Sequence, residues 1–182
     1  MRAVFLKEIA ILSQQDMVLV EGDSAKHLVK VVRVKKGEQI LILNGKGLIA
    51  KATIESLDRK TLNLKIDSVE NTSKRELIDL AICTPKKDAI EDIIRDCVEL
   101  GVNNIFPLES KYSQYNLEVN DRIQRIIESG LIQANNPYLL NISPMKPFKS
   151  LIEISKNYEQ VIYCSSKKIE SSKIESLKGN TL

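Results

Sequence analysis

Histidine occurs once in the 182 residues and cysteine only at positions 83, 97 and 164, so few side chains suit a soft metal. A single imidazole and no CxxC pair do not furnish a zinc site, and the cysteine spacing suggests no disulfide. Long hydrophobic runs are missing too. In the opening stretch MRAVFLKEIAILSQQD, Lys7, Glu8, Gln14 and Gln15 interrupt the apolar residues, which excludes a signal-peptide core or a membrane span there. A cytoplasmic location and no membrane partner are the resulting expectations. Internal repeats are absent. Net charge is scarce as well: +3, with a pI of about 8.7, is too little to indicate nucleic-acid binding by itself.

What the chain does have is apolar content and local charge clustering. Hydrophobic residues make up 43%, enough for the packed core of one large or two small domains. The cations cluster in KHLVKVVRVKKG, where Lys26, Lys30, Arg33, Lys35 and Lys36 occur without an acid among them. Asp23 or Ser24 offers an N-cap oxygen and Gly37 a turn, so the stretch is predicted to be a helix. At about 100° per residue, Lys26, Lys30 and Arg33 share one face, Leu28, Val31 and Val32 the opposite one, and His27 the boundary. The bland alternative is a solvated charged face. The phosphate reading predicts a log-log salt slope of roughly −4 to −5 if all five cations meet duplex phosphates.

Around this helix, QILILNGKGLIAKATIESLD and KTLNLKIDSVE alternate apolar and polar residues at period two about an Asn44-Gly45 turn. Residues 1–70 are therefore expected to form a small β-barrel with a basic helix on its rim. Residues 71–76 are polar and aperiodic, as in a linker. From residue 77 the pattern changes. LIDLAIC reads as a parallel strand buried on both faces. It is followed by a helix with Ile90, Ile93, Ile94, Cys97 and Val98 on one stripe and Gly101 at its end. NNIFPLES reads as a strand, residues 120–134 as a helix with Ile123, Ile126, Ile127 and Leu131 inward, and LLNIS, FKSLIEIS and QVIYCSS as strand, helix and strand. Strand and helix alternation predicts an α/β layer with a parallel sheet over residues 77–182, small for its helices and with an uncovered edge. The α+β chain would thus have two domains.

Chemistry is harder to locate. His27 is the one group with an intrinsic pKa near neutrality, but no serine or cysteine nucleophile with a matching acid is spaced to use it. It reads better as an RNA contact, and no catalytic residue is assigned. Cys83 and Cys97 fall on apolar patterns and read as core. NGKG reads as a hairpin turn, since no helix N-terminus follows it to hold phosphate. Tyr112 and Tyr115 suit base stacking and a half-buried loop equally.

Taken in order, HLVKVVRVKKGE, LNGKGLIAKATI, VELGVNNIFPLES and IQANNPYLLNI resemble the bacterial 16S ribosomal RNA uridine N3-methyltransferases of the SPOUT superfamily, over essentially the whole chain. The His27-Leu28, Val32-Arg33, Gly37 string and the Glu99-Leu100-Gly101-Val102, Ile105, Pro107 string carry the likeness. It implies a PUA-like RNA-binding barrel and an α/β domain that binds S-adenosylmethionine in a C-terminal trefoil knot, dimerises through it and methylates N3 of a uridine in small-subunit RNA. On this resemblance Lys26, His27, Lys30, Arg33, Lys35 and Lys36 face 16S ribosomal RNA or the small subunit, and Pro107 and Gln133 are candidates near the cofactor. Three departures accompany it. The family's Gly-Pro-Glu-Gly-Gly loop and the segment after it would follow Leu182, so the knot is expected to be missing and the chain alone inactive. Asp96 stands where the family carries lysine, and Asn136 where it carries arginine. A non-catalytic RNA-binding module is the main rival reading, and a small α/β enzyme acting on a metabolite is the third.

Overall fold

The structure, a computed structural model, describes residues 1–73, 77–164 and 179–182. The chain divides into two compact units, Met1–Ser73 with Glu128–Leu139, and Lys74–Ile127 with Leu140–Leu182. The fold is mixed α/β, with a curled sheet in the first unit and a parallel sheet in the second.

The first unit is built on β1 (Ala3–Phe5), β2 (Met17–Val20), α1 (Gly22–Lys26), β3 (Gln39–Leu43), β4 (Leu48–Leu57) and β5 (Leu62–Asn71). The strands lie in the order β1-β3-β4-β5-β2, with β1 parallel to β3 and the other pairs antiparallel. Period-two patterning decides which side is core: Leu48, Ala50, Ala52 and Ile54 of β4 and Leu62, Leu64 and Ile66 of β5 are buried in alternation. Register shifts at Lys51/Ala52 and Ile54/Ser56 bend the β4–β5 pair. No pairing joins edge strands β1 and β2 among the described residues, so the expected barrel is a curled sheet without a closing ladder there.

The NGKG stretch is a hairpin turn made rigid from inside. Buried Asn44 accepts from the backbone N–H groups of Lys46 and Leu48 at 2.8 and 3.0 Å and donates to the carbonyl of Ile9 at 3.1 Å. The turn also receives a distant segment, for Gly47 N–H donates to Pro137 and Leu139 N–H to Gly45, both at 2.9 Å. At Gly47, with φ +102°, a Cβ would lie 2.9 Å from the Tyr138 hydroxyl, which explains the glycine. Thr72, expected in the linker, is anchored: its hydroxyl donates to the Gly47 carbonyl, and the Tyr138 hydroxyl donates to the Thr72 carbonyl at 2.6 Å. The linker expectation for residues 74–76 lies outside the described residues.

The second unit contains β6 (Asp79–Cys83), α2 (Lys87–Leu100), β7 (Asn104–Glu109), α3 (Asp121–Ala134, whose last turns belong to the first unit), β8 (Asn141–Ile142), β9 (Lys146–Pro147) and α4 (Leu151–Ser155). β6, β7 and β8 run parallel in that order, and β9 also pairs with β7. Helix α2 ends at Gly101 with φ 79°, and Ile90, Ile94, Cys97 and Val98 are buried along it. Asn120 caps α3 by accepting from the N–H groups of Arg122 and Ile123. Its other end is a Schellman motif with Asn135 left-handed at φ 51°: Asn135 N–H meets the Ile132 carbonyl and Asn136 N–H that of Leu131.

Two strand expectations need correction. Leu80–Cys83 of β6 are half-buried rather than covered on both faces, because the sheet is too small to be fully layered. QVIYCSS does not form a strand over its described residues. Gln160 makes an isolated bridge to Thr181, Ile162 N–H reaches Leu182, and Val161 and Tyr163 stay 50% and 75% exposed. Thr181 also bridges Ile78, which extends the parallel layer beyond β6. The remainder of the tail, residues 165–178, lies outside the described residues.

Candidate nucleic-acid interface

The cationic stretch is not one α-helix. α1 stops at Lys26 and the chain widens into a π-helix over His27–Val32, which ends where Arg33 takes the left-handed conformation, φ 56° and ψ 47°. Four valines among residues 29–34 are poor helix formers, and the ladder slips: the N–H groups of Arg33 and Val34 both seek the Leu28 carbonyl. This changes the buried face. Ala25, Leu28 and Val34 are buried, Val29 and Val32 pack partly, and Val31, expected inward, is 67% exposed. The helix also begins earlier than expected. Asp23 sits inside its first turn with no side-chain cap bond, and its carboxylate takes the Lys26 ammonium at 2.9 Å.

All six residues singled out in the sequence, Lys26, His27, Lys30, Arg33, Lys35 and Lys36, are exposed. Lys26 is partly neutralised by Asp23, whose carboxylate is almost fully in water, so that pair is weak. Lys30, Arg33, Lys35 and Lys36 form no ion pair among the described residues, and Glu38, the next acid along the chain, is engaged by Arg2 at 2.6 Å. Gly37, with φ 83°, turns the chain, and hydrogen bonds from Gly37 N–H to Ile54 and from Ile54 N–H to Glu38 fix the end of the ridge on β4. The result is a cationic ridge with four exposed charges that form no ion pair among the described residues.

The second unit offers a different surface, at the carboxyl ends of its parallel strands, where open α/β sheets commonly take ligands. A cleft of about 450 Å³ is lined by Cys83, Thr84, Pro85, Lys86, Ala89, Ser110, Tyr112 and Gln114. Thr84, buried, ties the loop after β7 to the end of β6: its hydroxyl donates to the Tyr115 carbonyl at 2.6 Å, and Gln114 N–H donates to its carbonyl. Ser113 adds a second staple, accepting from Ser110 N–H at 2.9 Å and donating to the Leu108 carbonyl. Two further clefts, of about 510 and 500 Å³, lie past β7 and β8, with Glu118 and Glu109 in their respective walls. Sequence reasoning missed Lys86, Ser110 and Gln114. The available signal was their position just after an apolar strand.

Pro107 and Gln133, expected near the cofactor, lie away from these clefts. Pro107 is buried within β7. The carbonyls of Asn103 and Ile105 face β8, so its missing N–H points the same way, into the gap between β8 and β9, where proline costs no ladder bond. Gln133 is exposed near the end of α3. Neither lines any of the three clefts. A sulfonium cofactor needs a cradle for its adenosyl group and a counter-charge. The described residues at this edge form open clefts, Glu109 and Glu118 are exposed in the walls of two of them, and Pro107 and Gln133 line none of the three. Among the described residues these clefts form no closed cradle for S-adenosylmethionine.

Elsewhere the ionisable groups are structural. Glu91, buried on α2, is held bidentately by Arg122 at 2.7 and 2.8 Å, and these bonds keep its carboxyl below the usual range. Burial, then the Asp96 charge, pushes the Cys97 thiol up to about 11, in keeping with a core cysteine. Asp79 accepts from Asn103 and from the Tyr158 hydroxyl, while burial and Asp79 raise the Tyr158 phenol. No cluster of potential metal ligands occurs among the described residues, and no helix among them is long and apolar enough to cross a membrane.

A curled β unit carrying an exposed cationic ridge, followed by a parallel α/β unit, makes this a two-unit α/β protein. The chain belongs to the RNA methyltransferase family: residues 72–181 match its RNA methyltransferase domain and residues 20–67 its RNA methyltransferase PUA domain. Among curated relatives, ribosomal RNA small subunit methyltransferase E of Synechocystis sp. is 32% identical over 133 residues, covering 70% of this chain and 43% of the relative. The Bacillus subtilis protein of that name is 22% identical over 151 residues, covering 79% and 59%. The chain thus spans about half the length of the curated relatives it matches. The fold is shared with a Neisseria gonorrhoeae ribosomal RNA small subunit methyltransferase E bound to S-adenosyl methionine, at TM-score 0.79 and 22% identity, over 100% of this chain and 77% of that one.

Proposed function

We propose that the chain serves S-adenosylmethionine-dependent methylation of N3 of a uridine in 16S ribosomal RNA, and that its own residues supply the RNA grip. The supporting observation is the ridge, on which Lys30, Arg33, Lys35 and Lys36 point to solvent without ion-pair partners among the described residues, beside exposed His27 and the Asp23-paired Lys26. Phosphate contacts of this kind hold a strand without reading its bases. Relatives named as small-subunit RNA methyltransferases favour ribosomal RNA as the strand. Since the clefts here form no closed cradle for the cofactor, we propose that its cradle, and the homodimer the resemblance implies, require residues outside these 182. On this reading the chain alone binds RNA and turns over little or none.

Filter binding to 16S ribosomal RNA across a salt series tests the grip. Four free cations predict a log-log slope of roughly −3 to −4, shallower than five because Lys26 is paired. Charge reversal at Lys30 and Arg33 together flattens it by about 2. A slope unchanged in that double variant overturns the assignment, and calorimetric heat of specific S-adenosylmethionine binding to this chain overturns the claim about the cofactor.

A further inference from the structure

Two tyrosines, Tyr112 and Tyr163, are largely exposed, and of these Tyr112 borders a cleft. Tyr112 is 79% exposed in a chain whose aromatic content is only 4%. Its loop is not loose, because Thr84, Ser110 and Ser113 hold it to the ends of β6 and β7. The backbone that carries the ring is therefore held at both ends. The Lys111 ammonium lies 5.8 Å from its centroid. The cleft it borders is lined by Lys86, Ser110 and Gln114 and contains no carboxylate. An exposed ring, two cations, amide and hydroxyl groups and no acid suit a group with an aromatic face and a negative charge. A nucleotide has both.

Resting on the RNA reading above, we propose that Tyr112 is a stacking platform for one unpaired nucleobase of the RNA strand. Lys111 and Lys86 take the neighbouring phosphates, and Gln114 and Ser110 are in the same cleft to meet the base edge. This subsite is separate in sequence from the ridge and differs from it in chemistry. Stacking on an aromatic face is worth roughly 5- to 100-fold in affinity per base and is not ionic, so it leaves the salt slope alone.

The test uses the full chain and a short fluorescein-labelled single-stranded RNA, read by anisotropy across salt. Tyr112→Ala is expected to weaken binding roughly 5- to 100-fold with an unchanged slope, and Tyr112→Phe to stay near the parent. Since the ring is exposed, both variants should keep the parent's melting curve. A strand carrying 4-thiouridine should photo-crosslink to Tyr112, mapped by mass spectrometry. Parent-like affinity of Tyr112→Ala, while charge reversal at Lys30 and Arg33 still flattens the slope, overturns the platform and leaves the ridge standing. An RNA affinity unaffected by either change overturns both. A Tyr112→Ala effect confined to the heat of S-adenosylmethionine addition overturns the platform as well, by assigning the ring to the cofactor.

Discussion

Arg33 offers a case in which stability and binding move in opposite directions. Its φ of 56° and ψ of 47° lie in the left-handed region, which costs an L-residue roughly 1–2 kcal/mol. It is exposed and has no ion-pair partner among the described residues, so its removal forfeits little packing. Glycine relieves the strain but gives back about 0.4–1 kcal/mol through the freer unfolded chain. Arg33→Gly is therefore expected to gain about 0.5–1 kcal/mol, a rise of roughly 1–4 °C in the thermal midpoint for a chain of this length. Arg33→Ala keeps the strain and serves as the control. Both variants lose one cation and flatten the RNA salt slope by about 0.7–0.9. Calorimetric or circular-dichroism melting checks the first part and a salt series the second. Equal midpoints for the glycine and alanine variants would refute the strain argument; a parent-like slope in both would remove Arg33 from the phosphate contacts.

Two further outcomes follow from the ionisable groups. Arg122 lowers the Glu91 carboxyl below its reference value of 4.5, so the stabilisation is present above that pH and is lost as pH falls through the folded-state value. Urea midpoints of the parent and Glu91→Gln should accordingly converge in acid and separate toward neutrality; a gap that does not change with pH would contradict this. With the Cys97 thiol near 11 and Cys164 exposed, alkylation at pH 8 should mark Cys164 first and reach Cys97 only on unfolding, whereas rapid labelling of Cys97 in the native chain would count against its burial.

Much of the architecture was legible because hydrophobic period is a strong signal. The alternation of β4 and β5 and the stripes of α2 and α3 placed their core residues with little error, although Ile93 and Ile126 are only partly buried. Gly101 and Gly37 marked a real helix end and a real turn. The ridge was legible as charge but not as shape. A 100° step cannot foresee a ladder that slips at Leu28, which is why Val31 appeared inward and Asp23 appeared as a cap rather than as a partner for Lys26. Long-range pairing was invisible. Nothing near Glu91 announces Arg122, and nothing in NGKG announces Tyr138. The position of Pro107 and Gln133 away from the three clefts was invisible for a related reason: a motif position does not say which way a side chain leaves its element.

The segment that seats on the NGKG turn also sets an order of assembly. Because residues 136–139 supply Pro137, Tyr138 and Leu139 to Gly45, Gly47 and Thr72, the N-terminal unit is a lock whose key is cut later in the chain. During synthesis its sheet emerges first, yet it waits unlatched until all of α3 and the segment after it have left the ribosome. A fragment divided at the apparent boundary near residue 73 would carry every strand and still lack its fastening.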